Sequence, residues 1–453
     1  MGKYALRSKK RQTGNEDEES RHPKKSKVNR PTEPSTKIQD LNDDCIDHIF
    51  GYLRYNDVLS VSQVCQRFES RARDVFRRKR HNVQVFTVKA NESKYLLRRI
   101  GPALSKLEIF FGEDVVRNAQ TIDIATKCCV DSLTEMTLHC LSKRNKLRKP
   151  FNCVSKLTLS FCDMIGHFKL IKWFPNLTCL TYHYTKNLRK FMNQNIPTMD
   201  TLNINYVTTH KETITMLTSN PQIRNLSLTF VSEGGLGIQH SLLAAIDKAL
   251  PHLETLNLVI DRVRNFQTEN LPPYFQQLKT LKIENYSDHS NTSLVNNLSI
   301  TPTNLEQLQL RLSDTAIDSH SYHCITKFKN LRLLQMMPAQ RSLSMADTLM
   351  LTNQLPLLAK IEQTVDFAVI TPWTSDEVAD FLRSSNQLTE LAFVFVYEAQ
   401  AKFNRTLYFI QMKFSGSNWM VKSEERHAPK IFDSYGVSSV IQKQFVITVV
   451  KKL

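Results

Sequence analysis

Glycine is scarce in this sequence, at 11 of 453 residues, and no GxGxxG, GxxxxGKS or GxxxxGKT pattern occurs. That argues against phosphate-cradling loops as the main theme and favours helix-rich units with few tight turns. No apolar run approaches the roughly 20 residues of a membrane span. The opening MGKYALRSKKRQ has no apolar signal-peptide core, and Leu6 stands where a myristoylation motif wants Ser or Thr. The chain is therefore expected to be neither secreted nor integral, with no membrane partner. The nine cysteines form no CxxC pair. The densest group, Cys128, Cys129, His139, Cys140, Cys153 and Cys162, does not match zinc-ligand spacing. Reduced thiols, no metal and no cofactor are expected. No Ser/His/Asp, Cys/His or paired-carboxylate arrangement stands out among the 13 histidines, so the expectation is a protein that performs no chemistry itself.

What is present is length, an ordinary apolar content of 41%, and a net charge of +17. The chain exceeds the roughly 250 to 300 residues at which a single core stops growing, which implies a modular or repetitive build. Residues 1–36 have hardly an aliphatic side chain to bury and read as a disordered basic arm. Its clusters Lys9-Lys10-Arg11 and Lys24, Lys25 and Lys27 are spaced like a bipartite nuclear-import signal, the alternative being a tail that only adds solubility. The expected location is nucleus, cytoplasm or both.

From Leu41 the character changes. Ile46, Ile49, Phe50 and Leu53 fall at i, i+3, i+4 and i+7, the stripe of an amphipathic helix that Asn42 or Asp43 can cap. After a break at 54–56, Asp57 is placed as an N-cap, and Val61, Val64, Cys65 and Phe68 repeat the spacing. A basic segment with Val75 and Phe76 as apolar anchors follows. So short a module buries too little surface to stand alone and should dock on something.

Beyond residue 100 a phrase of two aliphatic positions three apart, with a third two further on, recurs every 21 to 30 residues in about twelve copies. They run from Leu104-Leu107-Ile109 through Leu253-Leu256-Leu258 to Leu388-Leu391-Phe393, and the copy at Leu358-Ile361 has lost its third position. That period is the leucine-rich repeat. One unit cannot bury its own apolar face, so neighbours stack into a continuous core under a curved parallel sheet. The turn position three after the phrase is Cys162 in one copy and is not maintained elsewhere, so irregular repeats are expected.

The segment LNDDCIDHIFGYLRYNDVLSVSQVCQRF, Leu41 to Phe68, resembles the F-box, and with the repeats the chain resembles F-box proteins of the leucine-rich-repeat class. Asn42 stands where that family usually has proline. The resemblance implies an α/β fold, a three-helix F-box followed by a right-handed curved solenoid with a strand and a helix per repeat. It divides the chain into arm (1–36), F-box (37–82), solenoid (83–398) and a C-terminal cap (399–453). It implies the role of substrate-recognition subunit of an SCF-type cullin–RING ubiquitin ligase. Leu41, Ile46, Ile49, Phe50, Leu53, Val58, Val64, Cys65 and Phe68 would then be the adaptor-facing or core apolar set, meeting a Skp-family adaptor that carries a cullin and a RING subunit. The competing readings are an internal helical cap, a non-degradative nuclear scaffold, and an RNA or chromatin adaptor.

A protein substrate would meet the middle residue of each strand: Glu108, Thr137, Thr158, Thr181, Asn203, Ser227, Asn257, Lys282, Gln309 and Gln335. This polar, nearly neutral lining does not suit nucleic acid, which needs clustered Lys and Arg on the contact face. The basic run Lys143, Arg144, Lys146, Arg148 and Lys149 lies in a connector. It reads either as a solvated loop or as a contact for an acidic or phosphorylated substrate segment.

Overall fold

The structure, a computed structural model, describes residues 38–79, 82–142, 149–162, 169–183, 193–205, 207, 210–231, 240–261, 275–285, 304–312, 319–338, 344–365, 375–385, 387–396, 407, 411, 419–427 and 443–451. Three helices come first: α1 (Asp43–Tyr52), α2 (Tyr55–Val61) and α3 (Gln66–Lys79). Next is β1 (Asn82–Phe86), then α4 (Ala90–Ile100), β2 (Lys106–Phe110), α5 (Val115–Cys128), β3 (Glu135–His139), β4 (Lys156–Ser160) and β5 (Cys179–His183). The strands continue with β6 (Thr201–Asn205), β7 (Asn225–Val231), β8 (Thr255–Asp261), β9 (Thr280–Asn285) and β10 (Gln307–Leu312). Then come β11 (Leu333–Pro338), β12 (Lys360–Val365), β13 (Glu390–Val396), β14 (Trp419–His427) and β15 (Lys443–Lys451).

All these strands join one long curved sheet, in chain order from β1 to β13 and then β15 and β14. β1 to β13 run parallel, and the last two pairings are antiparallel. Helices such as α4, α5, His210–Ser219, His240–Ala249 and Met345–Gln354 return the chain between strands. The architecture is mixed α/β, helices followed by a repeat solenoid.

The recurring phrase explains the register. Its second apolar residue is Leu157 in β4, Leu180 in β5, Leu202 in β6 and Leu226 in β7, each opposite the next and each at most 1% exposed. A one-residue slip would turn every such side chain to solvent, so the register is fixed by burial. β1 buries Val83 and Val85 in the same way, but the position three before Val83 is Arg80, and without an apolar residue there the phrase is not recognisable in sequence.

Polar side chains tie neighbouring units where the apolar pattern is interrupted. Cys162 is buried, and its thiol donates to the Leu138 carbonyl at 3.4 Å. Asn220, fully buried, accepts from Ile196 N–H at 2.9 Å and donates to the carbonyls of Gln194 (3.0 Å) and Met216 (2.9 Å). The chain leaves β3 and β4 through Cys140 and Phe161 at φ 58° and 53°, a region strained for L side chains. In both places the residue's N–H reaches the carbonyl ending the next strand, Ser160 or His183, at 2.9 Å.

In the C-terminal segment the strand-like sequence of residues 445–450 lies within β15, whose outer partner β14 carries no repeat phrase. A second strand-like stretch in the sequence, residues 407–414, falls outside the described residues except at positions 407 and 411.

The lost third position of the eleventh phrase is Gln363, 1% exposed and opposite Met336 and Phe393. Its Oε1 has no hydrogen-bond partner among the described residues. An unsatisfied buried amide costs about 1 to 3 kcal/mol, so Gln363→Met, similar in shape and apolar, is expected to stabilise the chain by about 1 kcal/mol. An upward shift of the urea midpoint checks this.

Candidate functional site

α1 begins where Asn42, at φ −67° and ψ 165°, accepts a hydrogen bond from Cys45 N–H through its side-chain oxygen at 2.8 Å. That φ is close to the value a proline ring imposes, so asparagine keeps the backbone direction and adds an N-cap. Asp57 does not cap α2: the helix starts at Tyr55, with Arg54 as a cap that makes no side-chain bond. The spacing Val61, Val64, Cys65, Phe68 is not one helical stripe either, because α2 ends at Val61 and α3 begins at Gln66.

Inside the module Phe50 meets Phe68 edge to face, ring centres 5.4 Å apart at 87°, an arrangement that places a positive ring edge on a negative ring face. Around this pair α1 and α3 are laced by charge. Arg67 reaches Asp43 (2.8 Å) and the Leu41 carbonyl (2.6 Å), while Arg71 lies 3.5 Å and Arg78 2.6 Å from Asp47. Exposed pairs contribute little singly, but a network with partly buried members fixes how the helices sit. On its other side α3 is joined to the solenoid. Arg73 donates to the Arg99 carbonyl at 2.7 Å, and Arg99 donates to the Ser62 carbonyl at 3.1 Å.

The apolar set expected to face an adaptor divides. Ile46, Phe50, Val58 and Phe68 are at most 3% exposed and form the module's own core, so they hold it together and present no surface. Leu41, Leu53 and Cys65 are half-buried. Ile49 and Val64 are exposed, at 39% and 61%. Two further exposed apolar side chains, Ile38 and Tyr52, were not anticipated. Cys45, Ile49 and Tyr52 stand at i, i+4 and i+7, a second apolar line on α1 that a search for one dominant stripe passes over.

On the solenoid, Glu108, Thr137, Thr158, Thr181, Asn203, Ser227, Asn257, Lys282, Gln309 and Gln335 are one continuous register row across β2 to β11. They are half-buried, on the face away from the helices. Side chains bridge along it, Asn203 donating to Thr181 Oγ1 at 3.0 Å and Asn257 to Ser227 Oγ at 2.9 Å. In the adjacent row Glu135 lies between Lys106 (2.8 Å) and Lys156 (3.2 Å). Burial pushes its carboxyl up, but the two lysine hydrogen bonds outweigh that and hold it below the ordinary value.

The row on the other side holds the histidines. His139 Nε2 lies 2.5 Å from Glu108 Oε1, and Asn205 Nδ2 lies 2.8 Å from His183 Nδ1. Burial, and then the neighbouring His139, push His183 below its ordinary 6.5. Lys149 is exposed, whereas Lys143, Arg144, Lys146 and Arg148, like Lys9, Lys10, Arg11, Lys24, Lys25 and Lys27, lie outside the described residues. Among the described residues no group of His, Cys, Asp and Glu could hold a metal ion, and no helix is long and apolar enough to cross a membrane.

Three helices laced by charge around an apolar core thus precede a strand–helix solenoid. Residues 38–80 match the family described as F-box domain, and this chain carries an F-box there. F-box domains bind Skp-type adaptors. A search of curated proteins finds no match. Among solved structures, the yeast Rad7–Elc1 complex is similar at 14% identity and a TM-score of 0.40, over 77% of this chain and 92% of that one.

The histidine row yields a pH dependence. Unfolded His183 would take a proton near 6.5, above its folded value, so its contribution is complete above 6.5 and declines as pH falls towards the folded value. The thermal unfolding midpoint is expected to drop between pH 7.5 and 5.5, and to drop less in a His183→Asn variant.

Proposed function

We propose that this chain is the substrate-recognition subunit of an SCF-type cullin–RING ubiquitin ligase, acting without chemistry of its own. The carrying observation is the division within the F-box: Ile46, Phe50, Val58 and Phe68 are buried within it, while Ile49 and Val64 remain exposed on a module whose other side is fastened to the solenoid. A Skp-type adaptor would cover Ile49 and Val64, with Leu41, Leu53 and Cys65 at the margin, and would bring the cullin and RING subunit. The leucine-rich-repeat solenoid would hold a protein substrate on the row through Thr158, Thr181, Asn203, Asn257, Lys282 and Gln309, where half-buried hydroxyl and amide groups can exchange their internal hydrogen bonds for ones to a partner. An acidic or phosphorylated substrate segment would add contacts at the connector containing Lys146, Arg148 and Lys149. The two basic clusters of the arm would serve nuclear import. In this arrangement the ligase works by raising the effective concentration of a substrate lysine near a ubiquitin carrier.

The test separates docking from folding. Ile49→Asp with Val64→Asp replaces exposed side chains, and burying each natural one in an interface is worth about 1.5 to 3 kcal/mol. Co-purification of a Skp-type adaptor is therefore expected to fall at least about tenfold while the thermal midpoint stays within a degree or two. Phe50→Asp would lose both, because Phe50 is only 2% exposed. Undiminished adaptor capture by the double variant would refute the assignment.

A further inference from the structure

The sheet has two ends, and the chain treats them differently. At the C-terminal end the outermost strand, β14, presents exposed Lys422 and Glu424. Charge on an outer strand discourages another strand from adding, because pairing would bring it out of water. At the N-terminal end the outermost strand is β1, whose sequence NVQVF has no charge and no proline. Among the described residues β1 has a strand, β2, on one side and none on the other. Its outer edge thus offers backbone N–H and C=O groups spaced for an extended chain, except at the Phe86 carbonyl, which already accepts from Ser93 Oγ at 2.9 Å.

Side chains add a second requirement. Phe86, Phe110 and His139 occupy one register row of β1, β2 and β3. Phe86 stacks on Phe110 with centres 4.7 Å apart at 12°, and Phe110 stacks on His139 at 4.1 Å and 1°. Adjacent strands lie about 4.8 Å apart, so each strand sets one ring on the next. The column stops at Phe86, which is 41% exposed, while Val83 and Val85 on the opposite face of β1 are buried. A strand added outside β1 would carry its own ring at the same spacing.

We propose that the outer edge of β1 docks an extended segment of a partner protein, which pairs with the strand and lays an aromatic side chain on Phe86. The column from His139 through Phe110 to Phe86 is ring on ring, and an aromatic side chain continues it where a cation on the Phe86 face would end it. The inference goes beyond the ligase reading and does not depend on adaptor binding.

The probe is a fluorescent peptide with the sequence of residues 81–87, HNVQVFT, which would sit on β1 as β1 sits on β2. With the full chain, saturable binding is expected by anisotropy, with slowed exchange at the amides of β1 that face away from β2. Phe86→Ala in the peptide or in the chain is expected to weaken binding about three- to tenfold, the range of an aromatic pair. Phe86→Leu, which keeps apolar area without a ring, should fall between, and thermal unfolding confirms that each variant is folded. The proposal is overturned if the alanine peptide binds as well, or if the amides of β1 that face away from β2 are already protected in the free chain. It is also overturned if sedimentation shows a second copy of the chain occupying the edge.

Discussion

Every unit of this solenoid shares its apolar face with the next, and that sharing is the constraint on which the rest depends. Leu180 of β5 is covered because Leu157 and Leu202 stand beside it, and each of those is covered by its own neighbours. Burial of about 1.5 to 3 kcal/mol per such side chain is available only in the stacked arrangement. A parallel sheet with one polar row per strand position follows from that packing, so the exposed face is a by-product of the core. Its chemistry is free to vary, and here it is threonine, asparagine, serine and glutamine with few charges.

The F-box is held to this core by α3, which faces two ways. Phe68 turns to α1, while Ala72, Val75 and Phe76 are buried in the apolar core that the module shares with the solenoid. Arg73 and Arg99 add hydrogen bonds to backbone carbonyls across the junction. In the proposed ligase such a junction would hold a bound substrate in place, whereas a loose one would spread it over a large volume and lower its effective concentration at a ubiquitin carrier.

The solenoid was legible because its signal is repeated. Twelve short strands in one phase leave little freedom, and even the irregular phrase at Leu358 falls in register, with Gln363 as its defect. β1 escaped notice because Arg80 stands where the phrase begins with leucine. In the F-box the residue types were readable but their division was not. Spacing shows which positions share a helix face, yet it cannot show that Ile46, Phe50, Val58 and Phe68 close on one another and leave Ile49 and Val64 outside. The helix break between Val61 and Gln66 was hidden for a related reason: Val61, Val64, Cys65 and Phe68 mimic a single stripe although they belong to two elements and the turn between them. The aromatic column was invisible in sequence, since Phe86, Phe110 and His139 meet only through strand register.

The central claim is that the F-box keeps one side for its own chain and another for an adaptor. Hydrogen exchange of the full chain with and without a Skp-type adaptor tests it most directly. The account predicts slowed exchange over α1 and the α2–α3 turn, with α4 unchanged. Protection confined to the solenoid, or no difference over residues 38–65, would contradict it.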